Sequence, residues 1–304
     1  MKDNRRIMKN IERLGKRYCK DQDCLGQWKE KEKELQNNWW EALKFFFSHS
    51  FMRGRRDELS IEYYYFTIQT LEDYFCISNW DLDKSYENLT KQEIYFKKEC
   101  ILKFKKVKNL GKGNSIKHQD FKTEVSEKNP IINLLVTPKE VEVQWNNKTY
   151  EKKIFLGNDA DVMMVLDVLE FISSDNQKNI YNYLKGTITK DRDGVKKTYE
   201  ELTKMRGIED KIATFIIRDA GLLNPGIVKE NHELAFPVDT WVKKIAQKIG
   251  CNKESTEEIK KYLIKKCKDE KIDPLKFAAG LWFLGFHSLD ILIENCLCKI
   301  KLKV

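Results

Sequence analysis

Two residues in the last third of the sequence could together perform covalent chemistry. Lys211 opens a predicted apolar helix, and Asp239 lies 28 positions later at the predicted start of another helix. A helix dipole and partial burial both disfavour an ammonium ion, which favours the neutral, nucleophilic amine at Lys211. Backbone donors at a helix N-terminus would keep Asp239 ionised. Each also has a plain structural interpretation, a solvated lysine and a capping aspartate, and either residue taken alone favours that interpretation.

The segment around Lys211 has the pattern of a tight helix-turn-helix. A short helix that begins near Thr198 ends at Met205-Arg206-Gly207, and a second, apolar helix covers 211–220. The unpaired backbone N–H groups at the start of the second helix can bind a phosphate oxygen without reading a base. The spacing therefore predicts, over about 198–221, a hairpin that would position DNA non-specifically.

The rest of the chain is predicted to be mainly helical, with a small antiparallel β insert at about 131–156. The apolar spacing predicts helices over 5–18, 26–50, 58–75, 89–107, 161–172, 177–184 and 240–249. Residues rich in β-branched and aromatic types predict strands at 131–136, 140–145 and 149–156. We expect two helical lobes with a cleft between them: 1–47 packing with the C-terminal lobe 238–304, and a lobe formed by 48–237.

A basic cluster lies between two aromatic helices, in the segment SHSFMRGRRD. Arg53, Arg55 and Arg56 are either a solvated loop or a set of guanidinium groups suited to bidentate contacts with phosphate. The chain has 56 Lys and Arg against 47 Asp and Glu, a net charge of +9. That charge fits a nucleic-acid partner and also fits solvated helix faces.

Composition excludes several classes of protein. A chain with 41% hydrophobic and 12% aromatic residues is too apolar to be disordered, and no apolar run approaches the roughly 20 residues of a membrane helix. The chain has eight cysteines with no CxxC pair, which predicts reduced thiols. Its four histidines are scattered, so we expect no metal site. We therefore expect a cytoplasmic protein with no membrane association, metal or cofactor.

Taken together, the hairpin with its embedded Lys211 and the later Pro237-Val238-Asp239 resemble the helix-hairpin-helix DNA glycosylase superfamily. Bifunctional members of that superfamily pair a hairpin lysine with this aspartate. The sequence is most similar to the archaeal-type 8-oxoguanine DNA glycosylase/AP lyase. Three further features match that branch: SHSFMRGRRDE between aromatic helices, the long Lys-to-Asp connection, and Ile272-Asp273-Pro274-Leu275 leading into 281–285. The resemblance covers roughly 38–75 and 195–290.

The resemblance implies a bifunctional enzyme of base excision repair that excises an oxidised purine, with 8-oxoguanine as the expected base. Lys211 would attack C1′ of an extruded nucleotide and form a Schiff base, Asp239 would stabilise the cationic sugar or accept the lysine proton, and β-elimination would cut the strand. The implied partner is double-stranded DNA containing a damaged base, bound by a monomer associated with a prokaryotic nucleoid.

The resemblance also assigns binding roles. Gly207, Ile208 and Glu209 of the hairpin turn, with the three arginines at 53, 55 and 56, would contact the DNA backbone. Trp282 and Pro237 would line the base pocket, although Trp282 could equally be plain core. The sequence departs from the family pattern at Glu209, where a second glycine is common, and at Ala278, where that branch carries an acidic residue.

Two other functions stay open at this stage. A non-catalytic helix-hairpin-helix module would keep the hairpin for DNA binding alone and would place Lys211 and Asp239 far apart. A monofunctional glycosylase for another lesion would use Asp239 with water, although the lysine at 211 disfavours it.

Overall fold

The computed structural model describes residues 2–52, 57–78, 81–91, 129–145, 148–174 and 178–287. These residues are mainly helical and contain a small two-stranded antiparallel sheet, so the predicted mainly α fold with a small β insert is confirmed. Within the described ranges, every helix is too short or too polar to cross a bilayer.

The described residues form the following helices and strands. In chain order they are α1 (Lys2–Tyr18), α2 (Gly26–Glu30), α3 (Glu32–Asn37), α4 (Trp39–Ser50), α5 (Asp57–Phe75), α6 (Leu82–Lys91), α7 (Pro130–Val136), β1 (Lys139–Trp145), β2 (Lys148–Ile154), α8 (Asp159–Ser173), α9 (Ile180–Lys190), α10 (Gly194–Lys204), α11 (Asp210–Leu223), a 3₁₀ helix (His232–Ala235), α12 (Thr240–Lys248), α13 (Thr256–Asp269) and α14 (Pro274–Phe286).

The described residues form two compact units. The first consists of the described residues within Met1–Leu35, Leu184–Thr203 and Asp210–Val304, and the second of those within Gln36–Tyr183 and Lys204–Glu209. The core of the first unit is apolar and includes Phe236, Phe277 and Leu281, each with no exposed surface. All the residues discussed below as catalytic candidates belong to this first unit.

The structure corrects two predicted elements. The predicted strand 131–136 is the helix α7: Asn129 caps it by accepting a hydrogen bond from Ile132 N, and Pro130 occupies its first turn. The predicted helix 26–50 is three helices, α2, α3 and α4. The Asn38 side chain accepts hydrogen bonds from Trp40 N and Glu41 N and so begins a new helix, α4.

The strands β1 and β2 pair in register from Lys139↔Ile154 to Trp145↔Lys148. Of the predicted helix 89–107, the part after residue 91 lies outside the described residues.

The first unit depends on a close crossing of its first and last helices. Gly15 on α1 and Gly280 on α14 meet there, and a Cβ at Gly280 would overlap the Ile11 carbonyl oxygen. Glycine is therefore required at the crossing, since helix backbones this close leave no volume for a methyl group.

We expect Gly280→Ala to lower the free energy of unfolding by about 1–3 kcal/mol through this overlap. Gly186→Ala is the matched control, because Gly186 is exposed on α9 and a Cβ there would meet nothing within 4 Å. The control should gain about 0.5–1 kcal/mol from the better helix propensity of alanine. Urea unfolding of both variants measures the difference, and equal stabilities would contradict the tight crossing.

Candidate functional site

Lys211 lies in the first turn of α11, one residue after the helix begins. The start of the helix is anchored by Asp210, whose carboxylate accepts hydrogen bonds from Lys260 Nζ at 2.9 Å and from Tyr199 OH at 3.1 Å. Lys211 is half-buried, and its side chain has no hydrogen bond or ion pair with any residue in the described part of the chain. The fold therefore fixes the backbone at Lys211 and leaves its amine without a partner among the described residues.

The turn that precedes α11 differs from a simple phosphate-binding loop. Gly207 has φ of 79°, a left-handed conformation that favours glycine, and Ile208 is 2% exposed. The Ile208 N–H donates to Met205 O at 3.0 Å, so this donor is already used within the turn. Glu209 is exposed. Of the three predicted backbone contacts, Ile208 thus contributes packing, and Gly207 and Glu209 keep N–H groups that have no acceptor among the described residues.

A salt bridge within the second unit holds the same turn. Asp167 on α8 accepts from the backbone N–H of Arg206 at 2.8 Å and from its Nε at 2.7 Å, and also pairs with Nη2. The bidentate geometry is the strong form of an arginine–carboxylate pair. Because its guanidinium is paired with Asp167, Arg206 stabilises the turn. The predicted contacts Arg53, Arg55 and Arg56 lie outside the described residues.

Asp239 is the N-cap of α12, and its carboxylate accepts a hydrogen bond from Val242 N at 2.8 Å. The carboxylate is half-buried and has no other hydrogen bond or ion pair among the described residues, so no such bond joins it to Lys211. Pro237 and Val238, which lead into the cap, are buried. The cap uses part of the carboxylate's acceptor capacity, and the remaining capacity is open to a ligand.

Trp282 on α14 is half-buried in a cluster of aromatic rings. Its ring stacks on Phe286 with a centroid distance of 4.9 Å and lies 5.6 Å from both Tyr18 and Phe215. The two interpretations of Trp282, base contact and core, are both compatible with a ring that is packed on several sides and still partly exposed.

The two helices that carry the catalytic candidates, α11 and α12, each contact α14. Lys211, Phe215 and Arg218 are spaced i, i+4 and i+7, so they share one face of α11, and Phe215 on that face contacts Trp282. At the start of α12, Trp241 packs against Gly285, where a Cβ would lie 2.9 Å from Trp241 Cγ. Lys211 thus lies on the helix face that meets α14, and Asp239 is two residues from a contact with the last turn of α14.

A buried polar network that the sequence reasoning missed lies on the same face of α11. Arg218 and Asp219 have no exposed surface, and Arg218 Nε donates to Asp219 Oδ1 at 2.7 Å. Arg218 Nη2 donates to Tyr18 OH at 3.0 Å, and Tyr18 OH donates to Asp219 Oδ2. Burial, with the neighbouring Asp219, raises the pKa of Tyr18 well above its usual value. The signal in the sequence was an Arg-Asp pair inside an otherwise apolar helix.

One donor of this network has no partner. Arg218 Nη1 is buried and makes no hydrogen bond with any described residue. The Arg218 guanidinium lies 4.2 Å from the Phe215 ring centroid, in cation–π contact. A buried donor that lacks a hydrogen bond is costly, and because Arg218 has no exposed surface this cost falls on the stability of the core. Ala278, the other departure from the family pattern, is fully buried in the apolar core.

Comparison with models of known protein families gives no match to this sequence. Searches of curated proteins and of solved structures likewise give no match. The geometry described above is therefore what the functional interpretation rests on.

Proposed function

We propose that this protein is a bifunctional DNA glycosylase/AP lyase that excises an oxidised purine, with 8-oxoguanine as the expected base. One observation carries the proposal: Lys211, half-buried and without a partner in the described part of the chain, lies in the first turn of a helix whose same face contacts the aromatic cluster of Trp282. The second catalytic candidate, the carboxylate of Asp239, caps α12, and Trp241 of that helix packs against Gly285 in the last turn of α14.

The chemistry follows from these two groups. An extruded nucleotide exposes C1′, and the neutral amine of Lys211 attacks it while the N-glycosidic bond breaks and the base leaves with the bonding electrons. Asp239 accepts the proton that the attacking amine loses and stabilises the positive charge on the sugar. Opening of the C1′–O4′ bond yields a Schiff base. Loss of a proton from C2′ then expels the 3′ phosphate and cuts the strand.

The aromatic cluster offers a site for the base. Trp282 is partly exposed, and aromatic faces stack on extruded bases at a gain of about 1–3 kcal/mol per base.

The test is a cleavage assay on duplexes that contain 8-oxoguanine, uracil, an abasic site or no damage. The proposal predicts base release and cleavage 3′ to the lesion without alkali, with an unsaturated aldehyde on the 3′ end. Release of the base with cleavage only after alkali would indicate a monofunctional glycosylase. Binding without base release or cleavage on any duplex would indicate a DNA-binding module.

Asp239→Asn should slow base excision by about 10²–10³-fold, because the variant loses the charge that stabilises the cationic sugar. Asparagine caps helices as well as aspartate does, so α12 and the stability of the fold should be preserved. Asp273→Asn is the matched control, since Asp273 caps α14 in the same way by accepting from Leu275 N at 2.9 Å. Single-turnover kinetics measures both variants, and equal slowing would assign the effect to capping.

A further inference from the structure

Three side chains of metal-binding types meet in the first unit at a place that the proposed reaction does not use. A carboxylate oxygen of Asp21, Sγ of Cys24 and a ring nitrogen of His287 all lie within 4.8 Å of one another. Cys24 Sγ lies 3.9 Å from His287 Nε2. Asp21 and His287 are partly exposed and Cys24 is buried, so the cluster is open to solvent on one side.

The backbone holds Asp21 and Cys24 in a closed turn between α1 and α2. Asp21 O accepts from Cys24 N at 3.1 Å and from Gly26 N at 2.8 Å. Gly26 has no room for a side chain, since a Cβ would lie 2.5 Å from Lys20 O. Turn geometry therefore brings these two side chains together, and little ordering remains for binding to impose.

The third side chain, that of His287, is held by α14. His287 caps the C-terminus of α14, its backbone N–H donating to Phe283 O at 2.9 Å. Its ring packs against Phe283 at a centroid distance of 4.3 Å and against Phe286 at 4.6 Å. The imidazole is thus positioned by packing, with Nε2 towards Cys24.

The charges around the Cys24 thiol favour a cation. Burial, followed by the carboxylates of Asp21, Asp219 and Asp23, raises the pKa of the Cys24 thiol to about 12, and the Arg218 guanidinium, which is paired with Asp219, opposes this shift. A carboxylate together with a thiolate would neutralise the charge of a divalent ion.

The donor set selects the kind of ion. Sulfur, imidazole nitrogen and a carboxylate oxygen are the ligands of Zn²⁺, whereas Mg²⁺ and Ca²⁺ take oxygen ligands. Ligand atoms around a tetrahedral Zn²⁺ are about 3.5 Å apart, so the cluster would need to close by only about 1 Å.

We propose that Asp21, Cys24 and His287 form a Zn²⁺ site with a solvent molecule in the fourth position. Binding displaces the thiol proton of Cys24 to solvent and links the turn after α1 to the end of α14. The bound ion would hold the end of α1, which carries Tyr18, next to α14, which carries Trp282. The sequence predicts no metal site, because its cysteines form no CxxC pair and its histidines are scattered, and a cluster whose cysteine and histidine lie 263 positions apart leaves no such local signal.

The test uses Co²⁺ as a spectroscopic substitute in tag-free, chelator-treated protein. We expect one equivalent of Co²⁺ to produce the visible bands of a tetrahedral ion and a near-ultraviolet thiolate-to-cobalt band, both removed by Zn²⁺. Cys24→Ser should lose the thiolate band. Cys19→Ser, two positions before Asp21, should keep it.

Two further variants keep the test decisive if Cys24→Ser does not fold. His287→Gln and Asp21→Asn alter partly exposed side chains, and we expect each to weaken Zn²⁺ binding about 100-fold or more in competition with a chromophoric chelator. Circular dichroism checks that every variant is folded. No stoichiometric Co²⁺ spectrum in the wild type, or unchanged binding in these variants, would overturn the site. Either result leaves the DNA glycosylase proposal untouched, since the proposed reaction needs no metal.

Discussion

Replacing Lys211 by glutamine will abolish both strand scission and the borohydride-trapped adduct while DNA affinity stays within about threefold of wild type. The amine forms the covalent bond, and loss of a nucleophile costs roughly 10³-fold or more in rate. One charge among many phosphate contacts contributes only a fraction of the salt-dependent binding. Single-turnover cleavage and a fluorescence binding titration measure the two quantities.

Lys229→Gln is the matched control for the lost charge, because Lys229 is exposed and has no hydrogen bond or ion pair with the described residues. This variant should cleave at the wild-type rate. If Lys211 only contacts a phosphate, its replacement will instead lower affinity and reduce the salt slope by about one contact, with cleavage slowed no more than binding.

Asp219→Ala should lower the free energy of unfolding by about 3–5 kcal/mol, because it leaves the fully buried Arg218 without its counter-charge. The same change removes the acceptor of the Tyr18 hydroxyl. Urea unfolding followed by tryptophan fluorescence measures the loss, since Trp282 lies 5.6 Å from Tyr18.

Two comparisons separate the buried pair from ordinary surface charges. Glu230→Ala breaks the pair with Arg192, whose side chains are 49% and 83% exposed, and should leave the free energy of unfolding nearly unchanged. The double variant Arg218→Met with Asp219→Leu should recover much of the stability, since it leaves no unpaired buried charge. A single variant as stable as the wild type would contradict the buried network.

Several helices could be predicted because their apolar spacing and caps are local features. Asp239 begins α12 as its N-cap, as predicted, and the start of α5 was predicted to within a residue. The strand predicted at 131–136 failed because an apolar run of six residues has no distinctive period, and the Asn129-Pro130 helix start outweighs its β-branched residues.

The site was only partly accessible from the sequence. Lys211 and Asp239 could be singled out because each lies at a helix start, which is a local signal. The network of Tyr18, Arg218 and Asp219 could not, because 200 positions separate Arg218 from Tyr18 and only the packed fold brings them together. The Asp21, Cys24 and His287 cluster escaped prediction for the same reason.

Borohydride trapping of the wild-type protein, followed by peptide mapping of the adduct, tests the Schiff base most directly. We predict a covalent complex on duplex DNA containing 8-oxoguanine, with the modified peptide carrying the DNA remnant on Lys211 and no complex on undamaged DNA. A protein that binds these duplexes but traps on none of the damaged or abasic substrates, or that traps through a different lysine, would contradict the proposed chemistry.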